Sequence, residues 1–163
     1  MEMNYYDTIA SGYEELHREE QLKKIALIKK HIPFHEKWKI LDVGCGPYFA
    51  DFSGTVVGID PSLQLLKIAK QKIPVVLGKG ELLPFRTDSF IVVVSITALQ
   101  NFDDIEQGLL EMKRIAKEFI VISVLKKSAK ITMIEELIGS TFPSFKAIEE
   151  EKDIIFFCRK KRS

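Results

Sequence analysis

The sequence predicts an α/β fold: a mostly parallel sheet with helices on both faces. Three observations carry this. Short apolar runs alternate with helical patterns along the chain. Two of these runs, FIVVVSI at Phe90–Ile96 and FIVISVL at Phe119–Leu125, are apolar on both faces, which marks strands covered from either side. Only the closing pair, Lys146–Glu150 and Ile154–Arg159, reads as a hairpin, across a Glu/Lys/Asp turn.

The elements follow in order. A helix is predicted over Tyr13–Ile32, where Leu22, Ile25, Ile28 and Ile32 fall three or four apart and share a face. Pro33 stops it. Lys39–Val43 is a first strand and Val56–Asp60 a second. Ser62 caps a helix over Leu63–Lys72, with Leu65, Leu66 and Ala69 inward. Val75–Leu77 and Phe90–Ser95 are the third and fourth strands. A helix starts at Asp103 or Asp104 and runs to Lys117, with Leu109, Met112 and Ile115 on one side. Phe119–Leu125 is the fifth strand, and Ile131–Ile138 is a helix ended by Gly139.

Composition narrows the class. A chain of 163 residues reads as one domain. Apolar residues make up 46% and charged residues 29%, as in soluble globular proteins. The 24 basic and 23 acidic residues nearly cancel, so bulk charge selects no polyanionic partner. Cys45 and Cys158 form neither a disulfide framework nor a metal spacing, which points to a reducing, cytoplasmic setting without a metal. The N-terminal segment lacks a signal-peptide pattern. No apolar run approaches the ~18 residues of a membrane span.

In open parallel sheets, ligands sit beyond the carboxyl ends of the strands, where strand order reverses. The loops after Val43, Asp60, Leu77 and Ser95 therefore share the rim of interest. Gly44 and Gly46 follow the first strand directly, allowing a sharp turn and close approach to the main chain. Asp60 ends the second strand, where a carboxylate can accept bonds from both hydroxyls of a ribose. The plainer alternative is a tight turn and a helix cap. Phe49 stands where a dinucleotide pattern wants its last glycine, and no Lys-Ser or Lys-Thr pair marks a P-loop. Asp42, just before the turn, would repel a pyrophosphate and suit a cationic ligand. S-adenosylmethionine has a ribose, a sulfonium and an ammonium, and no phosphate.

The segments ILDVGCGP, VVGIDPS and GKGELLPFRTDSFIVVVS, with the lead-in YYDTIASGYEELH, resemble the class I S-adenosylmethionine-dependent methyltransferases. The branch they are most similar to is that of the ubiquinone/menaquinone-biosynthesis methyltransferases. The resemblance spans Tyr5 to Leu125. It implies a Rossmann-like three-layer sandwich whose seven-stranded, mostly parallel sheet has an antiparallel last strand. Within one such domain, residues 1–37 are the lead-in helical segment, 38–125 the cofactor-binding core, and 126–163 the last helix and closing hairpin.

Carried over by position, the resemblance implies that Asp42, Gly44, Cys45 (through its backbone) and Gly46 line the methionine end of the cofactor. Asp60 holds the ribose and Pro61 lies near the adenine. Gly80, Glu81 and Leu82 flank the adenine edge, and Ser95 and Ile96 face the sulfonium end. Tyr13 either covers the site or packs the lead-in helix. Three positions depart from the family: Tyr48 replaces a third glycine, Lys79 an aspartate beside the adenine, and Ile91 the aspartate opening the fourth strand.

Gly44 to Thr55 is twelve residues, near the minimum for a parallel crossover. A stub helix over Tyr48–Phe52 is expected there, and the link KGELLPFRTDS is equally lean. A thinly covered sheet face, closed by a second copy or an activator subunit, follows as an expectation. The acceptor is less defined. Gln100 and Asn101 either contact it or, for Asn101, cap the next helix. His17, His31 and His35 all precede the first strand, and no catalytic base is assigned. Lys126, Lys127 and Lys130 form a basic rim suited to RNA, or a solvated loop. The leading reading is methyl transfer to an RNA, protein or other acceptor. The others are a methyltransferase-like scaffold and a nucleotide-dependent oxidoreductase.

Overall fold

The computed structural model describes residues 2–160, with side chains from residue 17 onward. Helix α1 (Glu2–His31) leads into β1 (Lys39–Val43), β2 (Thr55–Asp60), α2 (Leu63–Ala69), β3 (Val75–Leu77) and β4 (Phe90–Ile96). Then come α3 (Ile105–Ile115), β5 (Ala116–Leu125), α4 (Ile131–Thr141), β6 (Phe145–Glu149) and β7 (Asp153–Arg159). One seven-stranded sheet holds them in the order β3-β2-β1-β4-β5-β7-β6. The first five strands are mutually parallel, while β7 runs antiparallel to both β5 and β6. Strand order reverses between β1 and β4, so the carboxyl ends of these two strands open the crevice where ligands sit in such sheets.

Each face of the sheet carries its own core. On one, Leu109, Met112 and Ile115 of α3 and Ile134 and Ile138 of α4 cover Leu41, Val43, Val93, Ile120 and Ile122. On the other, Ile25 and Ile28 of α1 and Ile32 just past it join Leu66 and Ala69 of α2 over Ile40, Val92, Val94, Val121 and Ile155. Residues of α1 and α2 thus give the second face a layer of its own. Leu22, expected inward, is exposed, and Lys24 instead lies fully buried beside the apolar stripe. Helix α4 also runs through Gly139 to Thr141.

The first crossover contains no helix, contrary to the expected stub over Tyr48–Phe52. Buried backbone groups still need partners, and side chains provide them. Tyr48 adopts a left-handed backbone (φ 61) and is buried in the core on the second face of the sheet. Its hydroxyl accepts the Phe52 N–H at 3.1 Å. Lys72, just past α2, donates to the carbonyls of Tyr48 (2.9 Å) and Pro47 (3.3 Å), and its ammonium lies 5.3 Å from the Phe49 ring centre. This is how the chain accommodates a tyrosine where the family has glycine.

The link from β3 to β4 is also irregular and is pinned to α3. Glu111 accepts the Leu83 N–H at 2.8 Å and pairs with Arg114, whose guanidinium donates to the carbonyls of Leu83 and Phe85, each at 3.0 Å. The Arg114 guanidinium, aided by the Leu83 N–H, holds the Glu111 carboxyl below its ordinary range despite its burial. A depressed carboxyl stabilises the fold above the unfolded value of about 4.3 and loses that contribution as pH falls through the folded value. Glu111→Gln is expected to lose about 1.5–3 kcal/mol at neutral pH. The deficit should shrink toward pH 3 in urea unfolding followed across pH.

Candidate functional site

Two glycines shape the bend after β1, and they do different work. Gly44 (φ 74) and Cys45 both donate their N–H to the Ile59 carbonyl, at 2.8 and 3.2 Å. A Cβ on Gly44 would lie 2.5 Å from the Cβ of Ala98, so a bare α-carbon lets the turn after β4 pack against the bend. A Cβ on Gly46 (φ 51) would meet nothing nearer than Leu65 Cδ1 at 3.9 Å. The space before Gly46 is open, and its left-handed backbone favours glycine.

Asp60 faces this bend. Its Oδ2 accepts the Gly46 N–H at 3.0 Å and its Oδ1 accepts the Ser62 N–H at 2.8 Å. Ser62 in turn caps α2 by accepting the Leu65 N–H. The carboxylate thus joins the β1 bend to the start of α2, and each oxygen keeps acceptor capacity for a further donor.

Asp42 lies behind the bend, on β1 between Gly58 of β2 and Val94 of β4. It is buried and its Oδ1 has no hydrogen-bond partner. Burial first, and then the charge of Asp60, push its carboxyl up to about 7. The Ser95 hydroxyl at the end of β4 and the Gln100 Oε1 in the following 3-10 turn (Leu99–Asn101) are also buried and unpartnered. Unsatisfied buried polar atoms are rare and need a reason. Three of them lie on β1, on β4 and in the turn that follows β4.

The other expected positions divide. Cys45 packs its thiol inward, where it would meet a Cβ on Gly58 at 2.6 Å, and the thiol donates to the Gly46 carbonyl at 3.4 Å; burial pushes the thiol up. Pro61 and Leu82 are exposed and Ile96 is half-buried. Gly80 is buried because the Phe102 ring occupies the place of its Cβ, and the same ring fills the Cβ place of Gly108. Glu81 turns its carboxylate to the N–H groups of Asp103 (3.0 Å) and Asp104 (3.4 Å), at the entry to α3. Asp104, not Asn101, caps that helix. Lys79, in place of the family's aspartate, pairs with Asp103 at the surface. The side chain of Tyr13 lies outside the described residues.

His31 binds the Leu27 carbonyl and His35 accepts the Lys37 N–H; His17 lies half-buried on α1. Lys126 pairs with Glu149 at 3.6 Å and Lys130 donates to the Gln100 carbonyl at 3.2 Å, so much of the expected basic rim is committed within the fold. No cluster of metal-binding side chains occurs among the described residues, and no described helix is long and apolar enough to cross a membrane. Sequence reasoning missed Lys24, Thr97, Ser123 and Asp153, which form one buried polar network at the same rim. The available signal was a lysine beside an apolar helical stripe.

Residues 41–119 match the family described as a methyltransferase domain. An uncharacterized protein of Methanocaldococcus jannaschii is 33% identical over 119 residues, covering 70% of this chain and 47% of its own length. The demethylmenaquinone methyltransferase of Chlorobaculum parvum is 31% identical over 131 residues, covering 70% of this chain and 54% of its own. The chain thus spans about half the length of these two relatives. Among solved structures, an S-adenosylmethionine-dependent methyltransferase from Thermotoga maritima superposes with a TM-score of 0.78 at 19% identity, covering 96% of this chain and 98% of that one. A chain from the Haloferax volcanii complex of the Trm112 methyltransferase activator with its methyltransferase gives 0.77 at 15% identity, covering 96% of each chain. The domain match and these relatives make the chain similar to the S-adenosylmethionine-dependent methyltransferases, and the solved structures share its class I fold.

Proposed function

We propose that the chain binds S-adenosylmethionine at the carboxyl ends of β1 and β2 and transfers its methyl group to an acceptor beside β4. The observation that carries this reading is the open space before Gly46, bounded by Asp60, with the unpartnered Asp42 carboxylate behind the bend. These groups suit the cofactor chemically. Asp42 complements the cationic methionine end beside Gly44, Cys45 and Gly46. The remaining acceptor capacity of Asp60 takes the ribose hydroxyls. Pro61, Gly80, Glu81 and Leu82 border the adenine, the last three through their backbone for the most part. Ser95 and Ile96 face the methionine or sulfonium end.

When bound, this cofactor supplies a methyl group on a sulfonium, open to in-line displacement. The protein's work is to hold the acceptor atom about 3–3.5 Å from that methyl group. The acceptor side is lined by Ser95, Ile96 and Gln100. Lys127 remains exposed there, and a polyanion such as RNA would compete with Glu149 for Lys126. The Haloferax volcanii complex supports an activator subunit as a partner. A scaffold without activity is the second reading, favoured by Lys79 and Glu81 being engaged within the protein. Incubation with methyl-labelled cofactor and fractionated cell extract decides between them: label in one RNA, protein or small-molecule fraction supports transfer, and none in any fraction supports the scaffold.

Three outcomes are expected in calorimetry with S-adenosylhomocysteine. Asp60→Ala should lose about 1.5–3 kcal/mol of binding, the scale of hydrogen bonds to a charged group; unchanged affinity rules out the ribose role. Binding an ammonium favours ionised Asp42, so affinity should rise as pH climbs through about 7, with proton release below it. Asp42→Asn should flatten that rise. The apo protein follows the opposite sign: a raised carboxyl holds its proton in the fold, so this group's contribution to stability declines as pH rises from about 4 toward neutrality. Gly46→Val should abolish binding, since a β-branched residue strains the left-handed backbone and intrudes on the open space.

A further inference from the structure

Thr97, immediately after β4, has a left-handed backbone with φ 53. A β-branched residue is a genuine outlier there and persists only where its surroundings over-determine it. Here every polar group of Thr97 is engaged. Its N–H donates to the carbonyl (3.0 Å) and hydroxyl (2.9 Å) of Ser123 on β5. Its hydroxyl donates to Asp153 Oδ2 at 2.7 Å, at the start of β7, and accepts from Lys24 Nζ of α1 at 2.9 Å. Its carbonyl accepts the Gln100 side-chain amide at 3.1 Å. Lys24 Nζ also lies 3.0 Å from Asp153 Oδ1, with 2% and 0% of the two side chains exposed.

A buried ion pair is a costly way to dock a helix, because both charges must leave water. Helix α1 does not need it for docking. Ile25, Ile28 and Ile32 already bury its apolar stripe, and Lys23–Glu151 and Glu20–Lys152 already tie its surface to the β6–β7 turn. What Lys24 and Asp153 add is a donor and an acceptor converging on one hydroxyl, that of a strained residue. Thr97 leads directly into Ala98, the residue that sits against Gly44. The backbone angle at Thr97 therefore sets how closely the turn after β4 approaches the glycine bend. That turn carries the unpartnered Gln100 Oε1, and Lys130 holds its main chain at the Gln100 carbonyl.

We propose that Lys24 and Asp153 are positioning residues: their ion pair holds Thr97 in its left-handed conformation, so that docking of α1 sets the wall which the turn after β4 presents to the cofactor site. The consequence for cofactor binding rests on the methyl-donor reading above; the clamp on Thr97 does not.

The test is a double-mutant cycle with hydrogen exchange of the apo protein and calorimetry with S-adenosylhomocysteine as readouts. Lys24→Met alone would strand a buried carboxylate, so the working variant is the neutral pair Lys24→Met/Asp153→Asn. It should keep wild-type protection across β1, β4 and β5, lose at least tenfold protection at residues 97–102, and bind at least tenfold more weakly. Lys24→Gln/Asp153→Asn, which retains a neutral donor and acceptor, should restore both. Glycine adopts the left-handed region without strain. In a Thr97→Gly background the neutral pair should therefore change affinity less than threefold. Equal losses in the two backgrounds would show a general stability effect and overturn the proposal. Unchanged protection at 97–102 in the neutral pair would overturn it as well. If the wild-type protein bound no S-adenosylhomocysteine, the methyl-donor reading would fail on its own, and the exchange data would still decide the role of the clamp.

Discussion

Two backbone N–H groups from different segments, Gly46 and Ser62, converge on the one carboxylate of Asp60. The site depends on this junction. The first crossover has no helix to fix where it starts, and the acid fastens its beginning to the segment that opens α2. An acceptor is needed here before any ligand arrives, because the Gly46 N–H would otherwise go unmatched in a half-buried position. The structural duty and the proposed ribose contact thus fall on the same two oxygens. An effect of changing Asp60 on ligand affinity contains both a lost contact and a loosened bend.

The same device recurs wherever the fold has shed a helix. Tyr48 and Lys72 serve the backbone of the β1–β2 link, and Glu111 and Arg114 serve that of the β3–β4 link. Side-chain donors and acceptors replace the internal ladder that a helix would have provided. The replacement is local and specific, whereas a helix tolerates exchange at most surface positions. These four residues are therefore more constrained than their distance from the rim suggests.

The strands were readable because a parallel sheet buried on both faces leaves runs such as FIVVVSI, which no amphipathic helix produces. That Asp60 and the two glycines meet at one bend was readable because a tight turn demands particular residue types at particular places. Tyr48 was not. Nothing local predicts that a tyrosine will take a left-handed backbone and bury its ring in the core. The place of the Glu81 carboxylate was not readable either: backbone at Asp103 and Asp104 claims it, a match only the folded chain creates. Lys24 and Asp153 each look like ordinary surface charges in sequence, and their meaning lies entirely in their meeting.

The ion pairs that bind α1 to the β6–β7 turn join residues 128 and 132 positions apart. During synthesis the helix leaves the ribosome long before its partners exist. Its isoleucines and the Lys24 ammonium must wait in water, or on a chaperone, until the sheet has gathered its antiparallel edge. Contacts of such span form late and slowly. Nascent chains halted before the hairpin should therefore hold a formed but undocked helix. Maturation of the rim at Thr97 is in this way timed by the synthesis of β7.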